Sequence, residues 1–251
     1  MANLPIAAQL YTLRDIMPQD VSGTLRAVAD LGYDGVEFAG LHNTPATELR
    51  AELDSLGLKV CSAHVALNLF ENELDRTIET YQILGCSLLV VPWIGEHLRG
   101  DFAGLGATLN RIVGPVRDAG MRLAYHNHDF ELREQNGKTG LDILLETTDP
   151  AVNFELDCGW VNKAGRDPLT QMRALAGRLP LIHVKDVTAD GDWAEVGYGA
   201  IDYRPIVAAA PGLGVEWLIV EQDTTHRPPL ESIGMSIKWL REHTERLRRA
   251  S

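Results

Sequence analysis

The chain has 251 residues, 45% hydrophobic and 23% charged, with 23 Lys and Arg against 35 Asp and Glu. That length allows a sizeable core, and barrels of about 250 residues commonly form a single domain, so one domain over 1–251 is expected. A formal charge of −12 argues against nucleic-acid or anionic-membrane partners, which need a basic surface.

Short β-like runs alternate with longer helical ones from end to end. The strands predicted are 6–11, 36–39, 59–65, 87–92, 122–127, 152–157, 181–186 and 217–221, eight in all. The helices predicted after them are 21–31, 47–56, 74–84, 102–119, 141–146, 168–176, 203–210 and 230–249. Gly57 closes the second of these helices, and Pro168 opens the sixth after Asp167. Eight strand–helix units fit a (β/α)₈ TIM barrel better than a doubly wound sheet, which usually has a glycine-rich first turn. Here that turn is Tyr11-Thr12-Leu13-Arg14, with no glycine. Cys61, Cys86 and Cys158 are isolated and odd in number, which points to small core residues rather than disulfides or a zinc knuckle. The first residues, MANLPIAAQLYTLRD, lack a basic segment leading into a long apolar one, and no run of about 18 apolar residues occurs, so a cytoplasmic protein is expected.

A barrel builds its active site at the C-terminal ends of its strands. Those ends supply Glu37, His64, His126 and His128, Asp157, His183 and Lys185, then Glu221 with Asp223. The stretch Met121–Glu131, MRLAYHNHDFE, is the densest, and strand alternation sets His126 and His128 on one face. Alternation in VNFELD likewise turns Glu155 and Asp157 into the barrel, and in LIHVKD it pairs His183 with Lys185. A single strand-end acid is usually solvated. Repetition over four or five strands is different, because buried charge is costly unless paired or bound to a metal. Two imidazoles with two carboxylates suit one divalent ion, Mn, Co, Zn, Ni or Fe, with Mg also admitted, more than calcium.

AYHNHDFEL, ELDCGWV, LIHVKD, VGYGAIDY, IVEQD and GYDGVEFAG together resemble the sugar phosphate isomerase/epimerase family of xylose isomerase-like barrels, in family order over nearly the whole chain. The resemblance implies a metal-dependent enzyme removing a proton α to the carbonyl of a keto-sugar or polyol. It gives Asp157, His183 and Glu221 as metal ligands. The family's first ligand is a glutamate, and His126 stands at its place, so His126 is taken as the fourth ligand and His128 as a substrate contact, with His128, on the same face and nearer the strand end, as the alternative ligand. An imidazole held on a metal cannot act as a base. The proton then falls to Glu131, His64, Lys185 or Glu221, which suits isomerisation, or elimination from an inosose or 3-keto-glycoside, as well as two-faced epimerisation. A non-catalytic sugar-binding barrel is a further alternative.

The family also gives Glu37 as a contact to substrate hydroxyls. Trp160 and Trp93 are read as apolar walls or rim packing, and Lys185 either meets an enolate oxygen or pairs with Asp186 at the surface. Gly197 and Gly199 read as a tight turn, and Arg166, Arg204 and Arg227 as loop cations without a phosphate-binding motif. The partner expected is a small sugar, with homo-oligomerisation left open.

Overall fold

A computed structural model describes residues 4–250, side chains as far as 244. Eight parallel strands close into a barrel: β1 (Ile6–Gln9), β2 (Gly35–Ala39), β3 (Lys59–His64), β4 (Leu88–Val91), β5 (Arg122–His126), β6 (Val152–Asp157), β7 (Leu181–Val184) and β8 (Trp217–Val220), with β8 returning to pair β1. Around them run α1 (Val21–Asp30), α2 (Ala46–Leu56), α3 (Leu67–Asn72), α4 (Leu74–Leu84), α5 (Phe102–Asp118), α6 (Gly140–Thr147), α7 (Cys158–Lys163), α8 (Pro168–Ala174), α9 (Tyr203–Ala209) and α10 (Pro229–Ala250). Among the described residues no helix is long and apolar enough to cross a membrane.

The outer faces of the strands carry Val36, Phe38, Leu123, Tyr125, Phe154, Leu156, Ile182, Val184 and Leu218, all buried against the helices. Each large side chain so buried stabilises the fold by roughly 1.5–3 kcal/mol. The inner faces divide into two layers. Ala7, Cys61, Leu88, Val90, Ala124, Leu181 and Ile219 form an apolar plug toward the N-terminal end. Further along the same inward faces stand Gln9, Glu37, His126, Glu155, Asp157 and His183, all buried. The three cysteines are free and buried.

Departures from the sequence reading cluster at strand ends. β1 stops at Gln9, whose side-chain oxygen accepts the Tyr11 amide and starts a 3-10 turn over Leu10–Leu13. β7 stops at Val184, and Asp186–Val187 leaves the barrel to pair antiparallel with Trp193–Ala194. Two short helices, α3 and α7, interrupt segments that the sequence leaves as loops. α7 starts directly at the end of β6, because Asp157 is its N-cap and accepts the Trp160 amide at 2.8 Å. Its second residue has to be glycine: a Cβ on Gly159 would sit 2.5 Å from the Lys185 carbonyl oxygen.

Candidate active site

Glu155 is the centre of the polar layer. Its Oε2 accepts from the ring nitrogens of His64 at 2.7 Å and His126 (Nδ1) at 2.9 Å, with His183 Nε2 at 3.2 Å. Glu37 supports the same ring from beneath: its Oε2 lies 2.8 Å from His183 Nε2. Gln9 and Ser62 donate to the two Glu37 oxygens at 2.6 and 2.7 Å, so this carboxylate is fully engaged. A carboxylate on one nitrogen of an imidazole fixes the proton there and leaves the other nitrogen's lone pair free. His183 carries carboxylates on both nitrogens: Nδ1 lies 3.0 Å from Glu221 Oε2 and 3.8 Å from Asp157 Oδ2, and although burial lowers its pKa, Glu155, Glu37 and Glu221 raise it well above the ordinary value, so a cation at Nδ1 would have to displace a proton.

Lys185 completes the cluster from β7. Its Nζ lies 2.9 Å from Glu221, 2.6 Å from Asp223 and 3.4 Å from Asp157. Burial alone would lower its pKa, but the three carboxylates outweigh it and hold the ammonium protonated. The expectation of a surface lysine paired with Asp186 is therefore overturned: Lys185 is 1% exposed, and Asp186 instead accepts the backbone amides of Val187, Gly197, Gly199 and Ile201, pinning the turn that the sequence expects at Gly197 and Gly199.

Burial likewise shapes the other groups. It lowers His126 to about 4, overcoming the pull of Glu155, so that ring is neutral. It lowers His128 to about 2, with His126 and Lys185 adding to the effect. Asp157 is raised to about 6 by burial, against the opposing charge of Lys185. Glu221 goes the other way: burial would raise it, but Lys185 and His183 keep it well below the usual carboxylate range.

The donor set could hold a divalent ion. One ligand atom from each of His126, Asp157, His183 and Glu221 lies within 4.8 Å of all the others, and all four residues are buried. Asp157 Oδ2 is buried without a hydrogen-bond partner, while Oδ1 is committed to α7. That oxygen has the Lys185 ammonium at 3.4 Å and His183 Nδ1 at 3.8 Å without a hydrogen bond to either, a position that a cation shared with the imidazoles of His126 and His183 would satisfy. A second group, His64, His126, Glu155 and His183, is equally compact. There the contacts are hydrogen-bond distances converging on one carboxylate oxygen, which describes an orienting layer under the first group.

Above the cluster opens a cavity of about 730 Å³, walled by Tyr11, Trp93, Phe130 and Trp160, with His64, His126, His128, Glu221 and Asp223 at its base. His128 lies past the end of β5, its ring 5.0 Å from His126 and 4.8 Å from Trp93, and its Nδ1 is buried without a partner. His128 and Trp160 both line the cavity. Glu37 and Glu131 do not. Glu37 lies beneath the histidines, and Glu131 sits on the outer side of β5, accepting from Tyr125 Oη at 2.6 Å and the His128 amide at 2.8 Å. Alternation explains Glu131, because Tyr125 faces the helices and takes Glu131 with it; Glu37 faces inward level with Gln9 and Ser62, where the rings of His183 and His64 cover it. Glu155, which the sequence turns inward without giving it a role, is the residue that joins the three rings.

A family model for xylose isomerase-like TIM barrels matches residues 25–243. The chain belongs to that family. It is 26% identical to an inosose dehydratase of Geobacillus kaustophilus over 245 residues, covering 79% of each chain. Its fold matches a sugar phosphate isomerase/epimerase of Parabacteroides distasonis with TM-score 0.83 at 22% identity, over 94% of this chain and 97% of the other. It also matches an L-ribulose 3-epimerase with TM-score 0.77 at 17% identity, over 98% and 96%. In this xylose isomerase-like barrel, then, the polar layer stands at the strand ends where the fold ordinarily builds its site.

Proposed function

We propose that this family member is a divalent-metal-dependent lyase that removes the proton α to the carbonyl of a keto-polyol or keto-sugar and expels water from the neighbouring carbon. The observation that carries the reading is the convergence of His126, Asp157, His183 and Glu221 beneath an open cavity, with Lys185 against two of them. These four residues would hold the ion, which supplies a Lewis acid for the substrate's carbonyl oxygen.

The chain's own groups divide the remaining work. Glu221, ionised and on the cavity wall, takes the α-proton. Lys185 keeps Glu221 ionised and adds positive charge where the enolate oxygen develops. His64 lines the cavity and rests on Glu155; burial lowers its pKa, but Glu37 and Glu155 raise it above the ordinary value, so it is a proton donor for the departing hydroxide. The proton gained by Glu221 balances the one lost by His64. An imidazole on β5 where the epimerases have a carboxylate leaves one carboxylate base facing the substrate, and elimination needs only one. The likeness to an inosose dehydratase points the same way.

Isomerisation is the second reading, because His64 could return its proton to carbon rather than to oxygen. Metal-loaded protein incubated in D₂O with inososes and keto-hexoses separates the two: deuterium uptake with loss of one water supports the lyase, and uptake at constant mass supports the isomerase. Asp157→Ala should lose both metal and exchange. A wild type that carries no stoichiometric metal and exchanges no α-proton would sink both readings and leave a sugar-binding barrel.

A further inference from the structure

Arg99 stands on the cavity wall after the 3-10 turn Glu96–Leu98. It is the one arginine or lysine of that wall among the described residues. Its guanidinium carbon is 4.2 Å from the Trp93 ring centroid and 4.0 Å from that of Phe130. The two rings are almost perpendicular, at 86°, so they make a corner into which the guanidinium packs. No carboxylate lies within ion-pair distance of Arg99 among the described residues, and its Nε is buried with no acceptor. The wall's acids are otherwise occupied: Asp129 pairs with Arg133 at 2.7 Å, and Glu221 and Asp223 pair with Lys185. The buried Nε–H of this half-buried, permanent cation is costly to leave without an acceptor. His128 links this corner to the cluster, its ring lying 4.8 Å from Trp93 and 5.0 Å from His126. A ligand with its carbonyl at the cluster and its chain laid along His128 would bring its far end to Arg99.

We infer that Arg99 is an oxyanion subsite, and that the substrate carries a carboxylate or phosphate at the end remote from its reacting carbonyl. This rests on the proposed reaction for the direction in which the ligand lies, but not for the subsite itself. The planar guanidinium edge donates paired hydrogen bonds to the oxygens of either group, and the aromatic corner strengthens them by excluding water. The aromatic walls meanwhile suit the apolar faces of a sugar ring.

The test is calorimetric titration of the metal-loaded protein with glucose, glucuronate and glucose 6-phosphate, and with inorganic phosphate alone. At least one anionic sugar should bind about tenfold or more tightly than glucose, and the better of the two names the anion. Arg99→Met, which keeps the corner filled, should abolish the preference, while Arg99→Lys should restore part of it. Equal affinity for the three sugars, including no binding by any, would overturn the inference, as would a preference that survives in Arg99→Met. Inorganic phosphate matching glucose 6-phosphate would also overturn it, since the sugar would then add nothing. The D₂O exchange assay on neutral keto-polyols is scored separately, so failure of the reaction and failure of the subsite are read from different data.

Discussion

Replacing Glu155 by glutamine keeps the shape of the side chain and removes only its charge, in the middle of three imidazoles. In the native chain Oε2 accepts from His126 Nδ1 at 2.9 Å, which leaves His126 Nε2 without a proton. A glutamine can present an N–H at the same place, forcing Nδ1 to accept and moving the ring proton to Nε2, where it blocks a cation. The loss is that of a charged hydrogen bond, about 1.5–3 kcal/mol, and an orienting carboxylate on a metal-bound histidine is typically worth 10–100-fold in affinity. Competition for Co or Zn against a chelator of known affinity should therefore show Glu155→Gln binding about 100-fold more weakly than wild type. Its α-proton exchange should be low at limiting metal and should recover in part at saturation. Circular dichroism checks that the barrel is intact. A folded variant with unchanged metal affinity would refute the assignment of Glu155 as the group that sets the histidine tautomers, and with it the choice of His126 as a ligand.

Three further outcomes are expected. Lys185→Met leaves Asp157, Glu221 and Asp223 facing one another; it should destabilise the metal-free protein by about 3–5 kcal/mol in urea, with added metal returning part of the loss. Glu131 is raised by burial from 4.5 to about 7, so between those values the folded chain holds a proton that the unfolded chain has released. Stability must then fall as pH rises through that window, by up to about 3 kcal/mol, and Glu131→Gln should flatten this part of a pH series of unfolding midpoints. Gly159→Ala drives a methyl group against the Lys185 carbonyl, so it should cost about 1–3 kcal/mol and weaken metal binding, because α7 cannot move without moving its cap. A Gly159→Ala protein with native stability would show that α7 slides freely.

The barrel was legible because its eight apolar runs keep their period wherever the core decides the outcome. Inward alternation in VNFELD, LIHVKD and YHNH also located the polar layer. What alternation does not give is depth. Glu37 and His64 both read as inward strand-end residues, yet Glu37 is level with Ser62, two residues short of the level that His64 shares with Ala39, so it ends under the histidines while His64 reaches the cavity. Nor does it give partners. Lys185 is followed directly by Asp186, and nothing local says that the lysine turns to three distant carboxylates while the aspartate collects four amides. Arg99 lacked any pattern at all, because its neighbours Trp93 and Phe130 come from different strand-end loops.

Asp157 uses one oxygen to cap α7 at Trp160 and turns the other toward the candidate cation position. The two oxygens share one rigid plane, so any ion that tugs on one tilts the other, and the first turn of α7 follows. Trp160 rides on that turn and forms part of the cavity wall. The indole is therefore a built-in gauge of occupancy: a change at the bottom of the barrel is written, through a single carboxylate, into the fluorescence and the shape of the chamber above it.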